Sequence, residues 1–284
     1  MRLFNKNYIV FFLIFLLGFL PLISPSTSSP TGIIIPLYTY PGNTWESVIS
    51  IKTNFPEVPI LAIINPNSGP GETKDTNYES GIKDMRDVGI KVIGYTWTNF
   101  TIRDIADVYS DIDQYKKWYD LDGIFLDEMS NKAGNENYYS NITSYANIQN
   151  FSYTVGNPGT STLPSYIGTV DNIIIYEQAG IANIFSFDEW ISIYPEENFS
   201  VLSYDVPTLD TDFVAEATNH VGYLYLTNDI LTNPWDSLPP YLKDMVSVLD
   251  SMESTAQHPI GLDVGTANIP LDSSIVDVVN PWLN

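Results

Sequence analysis

The residues best suited to chemistry in this chain are Asp127 and Glu128, which close the run Gly123-Ile124-Phe125-Leu126. An apolar run seeks a dry interior, whereas carboxylates resist burial unless something compensates them. A buried strand that ends in two acids therefore carries them to the mouth of a pocket. A third acid, Glu177, follows another apolar run, Asn172–Tyr176, and precedes Gln178. Glycoside hydrolysis needs two carboxylates across the scissile bond, one as acid and one as nucleophile or base. Neighbours on a strand point to opposite faces, so Asp127 and Glu128 are not expected to share one task. One reaches the substrate while the other tunes it or holds the loop. Crowding of the acids raises at least one pKa, as a general acid requires.

Eight short apolar runs are spaced along the chain and must position these acids. They are Gly32–Leu37, Val58–Ile64, Lys91–Tyr95, Gly123–Leu126, Tyr153–Val155, Asn172–Tyr176, Ser200–Tyr204 and Gly222–Leu226. Their Ile, Val, Leu and Tyr content suits parallel strands buried on both faces. Between them lie stretches at helical spacing, such as Tyr78, Ile82, Met85 and Val88 before Gly89. Another carries Ile102, Ile105, Val108, Ile112, Tyr115 and Trp118, and Leu238–Met252 supplies a last helix. This alternation predicts a single-domain α/β fold, a closed (β/α)8 TIM barrel over residues 29–254. The competing open, doubly wound sheet wants a glycine-rich loop after its first strand. Here that position holds Pro36-Leu37-Tyr38-Thr39-Tyr40-Pro41.

In such a barrel the working groups lie at the C-terminal ends of the strands. Beside the acids those ends supply Tyr38 and Tyr40, Asn65, Tyr95 and Trp97, Asn157, Tyr176 and Tyr225. Aromatic faces stack on the C–H faces of pyranose rings, and amides and carboxylates bind hydroxyls. These residues are the expected substrate-binding set, with Asp127, Glu128 and Glu177 as the catalytic one. A lone carboxylate at a strand end is structural at least as often as catalytic. Asp122 reads as a cap or turn residue, Asp205 as a cap or a ligand, and Trp45 as core or sugar platform. The two histidines, His220 and His258, fall away from these ends and cysteine is absent. No metal and no cofactor are expected.

The N-terminus has the order of an export signal: Arg2 and Lys6, an apolar run from Tyr8 to Phe19, then Pro21 and a Ser/Thr/Pro-rich stretch. A signal peptide over 1–28 predicts a secreted or cell-surface protein, with an uncleaved anchor as the alternative. Removing it leaves about 256 residues, close to the ~250 of a single barrel. Residues 255–284, interrupted by Pro259, Pro270 and Pro281, read as an irregular extension. The chain carries 34 acidic against 12 basic residues, a net charge of −22. Such a surface repels nucleic acid and anionic membrane, so membrane contact is expected only through an uncleaved N-terminal segment. It suits a polysaccharide partner, including a cationic amino-sugar polymer, or simply keeps an exported protein soluble.

Several segments together resemble the spherulin-4-like family of glycoside hydrolases. They are Ile35-Pro36-Leu37-Tyr38 with Tyr40-Pro41, Ile64-Asn65-Pro66-Asn67-Ser68-Gly69-Pro70-Gly71, and Val92-Ile93-Gly94-Tyr95. They continue with Trp118-Tyr119, Asp122-Gly123-Ile124-Phe125-Leu126-Asp127-Glu128, and Val155-Gly156-Asn157-Pro158-Gly159. The resemblance implies a (β/α)8 barrel and endo-acting hydrolysis of α-1,4-linked polysaccharide containing N-acetylgalactosamine. It matches the family's acidic pair to Asp127 and Glu128 and its acid on the sixth strand to Glu177. One segment departs. The family's Tyr-Gly-x-Arg after the third strand is here Phe100-Thr101-Ile102-Arg103. The rival expectation is a glycan-binding or structural surface protein without catalysis.

Overall fold

The structure is a computed structural model that describes residues 30–257. The leader expected over 1–28 lies outside the described residues, as do 258–284 of the expected extension. Eight parallel strands close into a barrel in sequence order. They are β1 (Gly32–Leu37), β2 (Ile60–Ile64), β3 (Lys91–Trp97), β4 (Gly123–Asp127), β5 (Tyr153–Gly156), β6 (Asn172–Ala179), β7 (Phe199–Tyr204) and β8 (Tyr223–Leu226). Closure comes from the pairs Gly32 with Tyr223 and Ile33 with Leu224. Every residue of β1 and β2 is buried. That is why these strands read as continuous apolar runs rather than as alternating ones.

Helices follow six of the strands: α1 (Asn43–Asn54), α2 (Thr76–Asp87), α3 (Ile105–Trp118), α4 (Glu136–Ile148), α5 (Thr211–Ala217) and α6 (Leu242–Gln257). The Asp75 side chain caps α2 through the Asn77 and Tyr78 N–H groups, and Asp104 caps α3 through Ala106. Gly89, at φ +87°, takes the left-handed turn just past α2. The connections β5–β6 and β6–β7 depart from the expected alternation. Single 3-10 turns at Pro164–Tyr166, Ile184–Ser186, Ile191–Ile193 and Glu196–Asn198 replace the helices there. Pro158, Gly159, Pro164 and Gly168 interrupt the first stretch and leave no room there for several uninterrupted turns, whereas Gly180 and Pro195 only bound the second.

Two local features aim the acids. Gly123 opens β4 so close to β5 that a Cβ there would lie 2.1 Å from the Tyr153 carbonyl oxygen. In β6 the register against β7 slips between Ile174 and Tyr176. Such a bulge re-aims the side chains that follow it, and Glu177 follows directly. β6 also runs on to Ala179, so Glu177 is held within the ladder opposite Leu202 rather than past its end. Among the described residues no helix is long and apolar enough to cross a membrane.

Candidate active site

Asp127 and Glu177 meet in a cavity of about 310 Å³ at the C-terminal end of the barrel. Tyr38, Asn65, Tyr95 and Asn157 line it with them. The neck between the acids is Asn157. Its amide oxygen accepts the Gly159 N–H at 2.9 Å, which turns its NH2 group toward the acids. That group donates to Asp127 Oδ1 at 3.0 Å and to Glu177 Oε2 at 2.6 Å. Asn157 is itself fixed by backbone bonds to both sides of the β4 end. Its N–H donates to the Leu126 carbonyl and its carbonyl accepts from Met129. The second Asp127 oxygen accepts the Tyr95 hydroxyl at 2.7 Å. Tyr95 stacks on Phe125 and meets Tyr38 edge-on, ring centroids 5.7 Å apart, so the hydroxyl cannot wander.

Burial pushes the Glu177 pKa up to about 7. Hydrogen bonds from Asn157 and Trp235 oppose that rise, and the nearby Asp127 charge adds to it. Burial also raises Asp127, but bonds from Tyr95, the Glu128 backbone and Asn157 pull against it. Glu177 is thus the acid held protonated longer. Burial raises the Tyr38 and Tyr95 hydroxyls, Asp127 adds to both, and they stay neutral donors.

Not every expected residue reaches this cavity. Glu128 lies just outside it, exposed, in a left-handed conformation (φ +51°). Its carbonyl accepts the Thr98 hydroxyl and the Phe100 N–H, which ties the β4 end to the loop after β3. Its charge still raises the Tyr95 hydroxyl. Trp97 pairs with Asp127 across the ladder, but its ring is covered by the Arg103 guanidinium, 4.5 Å from the centroid. Tyr176 sits beside Glu177 on the strand and so points away; its hydroxyl donates to the Ala179 and Gly180 carbonyls. Tyr225 is buried beneath Trp235. Tyr40 opens onto a separate groove. Of the ambiguous residues, Trp45 is core, and Asp122 accepts the Val92 N–H and pairs with Arg86 at the opposite end of the strand.

The cavity also uses residues that strand ends did not nominate. Trp235 and Asn233, from the long loop between β8 and α6, wall one side, and Tyr204 meets Trp235 edge-on. Asn233-Pro234-Trp235 lies well beyond β8, so only its turn-forming composition hints at a loop that folds back. Among the described residues no group of three or more His, Asp or Glu is arranged to hold a metal ion.

Residues 32–249 match the family model Spherulin4, spherulation-specific family 4. This chain belongs to the spherulin-4 family. Spherulin-4 of Physarum polycephalum is 36% identical over 197 residues, a match spanning 66% of this chain and 58% of that protein. In fold, the chain is similar to Sph3 of Aspergillus clavatus, whose crystal structure is in complex with GalNAc. The TM-score is 0.69 at 21% identity, covering 78% of this chain and 98% of that one. The likeness extends the barrel reading to a solved structure. The departure from the spherulin-4 pattern after β3 has a local consequence. At the position where the resemblance leads one to expect glycine, Thr101 holds φ +80°, preceded by Asn99 at +46° and Phe100 at +54°. A β-branched residue in that region is strained by about 1–3 kcal/mol. Thr101→Gly should raise stability by roughly 1 kcal/mol. Urea unfolding with no gain in midpoint would remove the strain argument.

Proposed function

We propose that this spherulin-4 family member is a secreted glycoside hydrolase that cleaves within a galactosamine- or N-acetylgalactosamine-containing polysaccharide. The observation that carries the reading is the Asn157 bridge between two acids of unlike pKa. The bridged oxygens lie within the sum of the two bond lengths, about 5.6 Å at most, and retaining enzymes hold their carboxyl groups ~5–5.5 Å apart. Inverting enzymes keep ~6.5–9.5 Å free for a water. The short span supports retention, with Asp127 as nucleophile and Glu177 as acid and then base. The aromatic and amide walls fit a sugar, and the GalNAc bound to Sph3 directs the choice of hexosamine. Glu128, exposed at the rim, suits an ammonium group on a deacetylated unit. The leader-like N-terminus supports export.

The test is a panel of defined α-1,4-linked galactosamine polymers, acetylated and deacetylated, with products separated by length. Internal cleavage of at least one is the expected result. If intact polymer binds but no fragment appears after long incubation, the protein is a glycan-binding module and the hydrolase reading fails.

A further inference from the structure

A cavity of about 310 Å³ is at the small end of ligand pockets and cannot hold much of a polymer. A second groove, of about 450 Å³, lies beside it. Their linings adjoin along the chain at two places. Tyr38 lines the cavity and Tyr40 the groove; Asn65 lines the cavity and Pro66 the groove. Two residues of chain span at most about 7 Å, so the openings are neighbours on the scale of one sugar ring. The groove carries an unusually placed aromatic. Tyr40 is 57% exposed although it is tied down at several points. Its hydroxyl donates to Asp75 Oδ2 at 2.9 Å and accepts from Asn77 Nδ2 at 2.8 Å. Its ring edge rests against Tyr78, centroids 5.6 Å apart at 87°, and Tyr78 in turn rests on the buried Trp45.

An aromatic ring normally gains by burying its faces, and one left open has lost that gain. Here the hydroxyl is used internally, so what Tyr40 offers to solvent is its apolar surface in a fixed orientation. Ordering costs for a partner are correspondingly low. Thr73 and Asn77 supply polar groups at the same rim.

We propose that the Tyr40 groove is a distal subsite that stacks a sugar ring of the same polymer whose neighbouring unit occupies the Asp127–Glu177 cavity. The inference rests on the hydrolase reading for the identity of the ligand, and it supplies the extended contact that cleavage within a chain requires. Stacking on Tyr40 holds the polymer across the β1 and β2 rim and fixes its direction through the cavity.

Calorimetric titration of the full chain carrying Glu177→Gln tests it, using galactosamine and N-acetylgalactosamine oligomers of increasing length. Affinity is expected to rise at the length that first reaches Tyr40. Adding Tyr40→Ala should erase that rise, weakening long oligomers about tenfold while short ones bind as before. Thr73→Trp, an exposed site that fills the groove without touching the Tyr40–Asp75 bond, should do the same. Long-oligomer affinity unchanged in both variants would overturn the subsite, as would equal weakening of short and long oligomers. Absence of binding at every length in the Glu177→Gln protein itself would overturn the hydrolase reading and the subsite with it, a result distinct from the other two.

Discussion

Glu177→Gln should lower kcat by about a thousandfold, within the ~10²–10⁴ typical of general acid–base catalysis, and should make the protein more stable at neutral and alkaline pH. Both effects follow from one burial. The fold holds the Glu177 pKa at about 7, above the ordinary carboxyl value. The protonated form needed to donate to a leaving oxygen is therefore abundant below pH 7 and scarce above it. In wild type kcat/KM should fall as pH rises through about 7. The stability linkage has the same direction. A folded pKa above the unfolded one contributes stability that is fully present below the unfolded pKa and lost as pH rises through the folded one. Glutamine cannot ionise, so the variant escapes that loss, gaining on the order of 2 kcal/mol above pH 8. Glutamine still accepts the Asn157 bond, so the scaffold of the site survives. Denaturant midpoints at pH 5 and pH 8 separate the outcomes. Equal stability of the two proteins at pH 8, or a variant within tenfold of wild-type turnover, would refute the assignment.

The barrel was legible because it is written in burial. Strands covered on both faces leave uninterrupted runs such as Gly32–Leu37, and helices leave stripes such as Tyr78, Ile82 and Met85. What could not be read was written in geometry rather than composition. The missing helices after β5 and β6 are an absence: the (β/α)8 repeat implied them. Glu177 was found as an acid after a strand, yet its aim depends on a bulge between Ile174 and Tyr176 that carries no sequence mark. Asn157 was read as a sugar ligand because it follows β5. Its bridging place depends on the Gly159 N–H, two residues on, claiming its oxygen. Trp235 was missed for the opposite reason, since its distance from β8 concealed a loop that returns to the mouth. Period-2 reasoning did separate Asp127 from Glu128 and, applied equally to Tyr176, would have turned it away from Glu177.

Asp127→Asn should cost the most, about ten-thousandfold or more, the scale reached when a covalent nucleophile or its partner is removed. Asp127 presents one oxygen to Asn157 and the other to Tyr95. Each bond is to the charged form and opposes the rise that burial imposes, and each oxygen keeps lone pairs free to attack an anomeric carbon. An asparagine would set its NH2 group against one of those two donors, either the Asn157 amide or the Tyr95 hydroxyl. The variant thus loses the nucleophile and leaves a buried donor unsatisfied, costing a further ~1–3 kcal/mol of local stability. With wild type, rapid quenching and mass spectrometry of the intact protein should catch one covalently bound oligosaccharide, the part of the chain that carries the attacked anomeric carbon, and peptide mapping should place it on Asp127. The released sugar should keep its anomeric configuration, because two displacements at one carbon restore it. Substrate acetylation supplies the decisive contrast. If an N-acetyl carbonyl is the attacking group, only acetylated polymer is cleaved, no protein adduct forms, and Asp127 orients the amide instead. Cleavage of deacetylated polymer with an adduct on Asp127 establishes the carboxylate as nucleophile. An inverted product would end the retaining assignment, because inversion is the outcome of a single displacement by water.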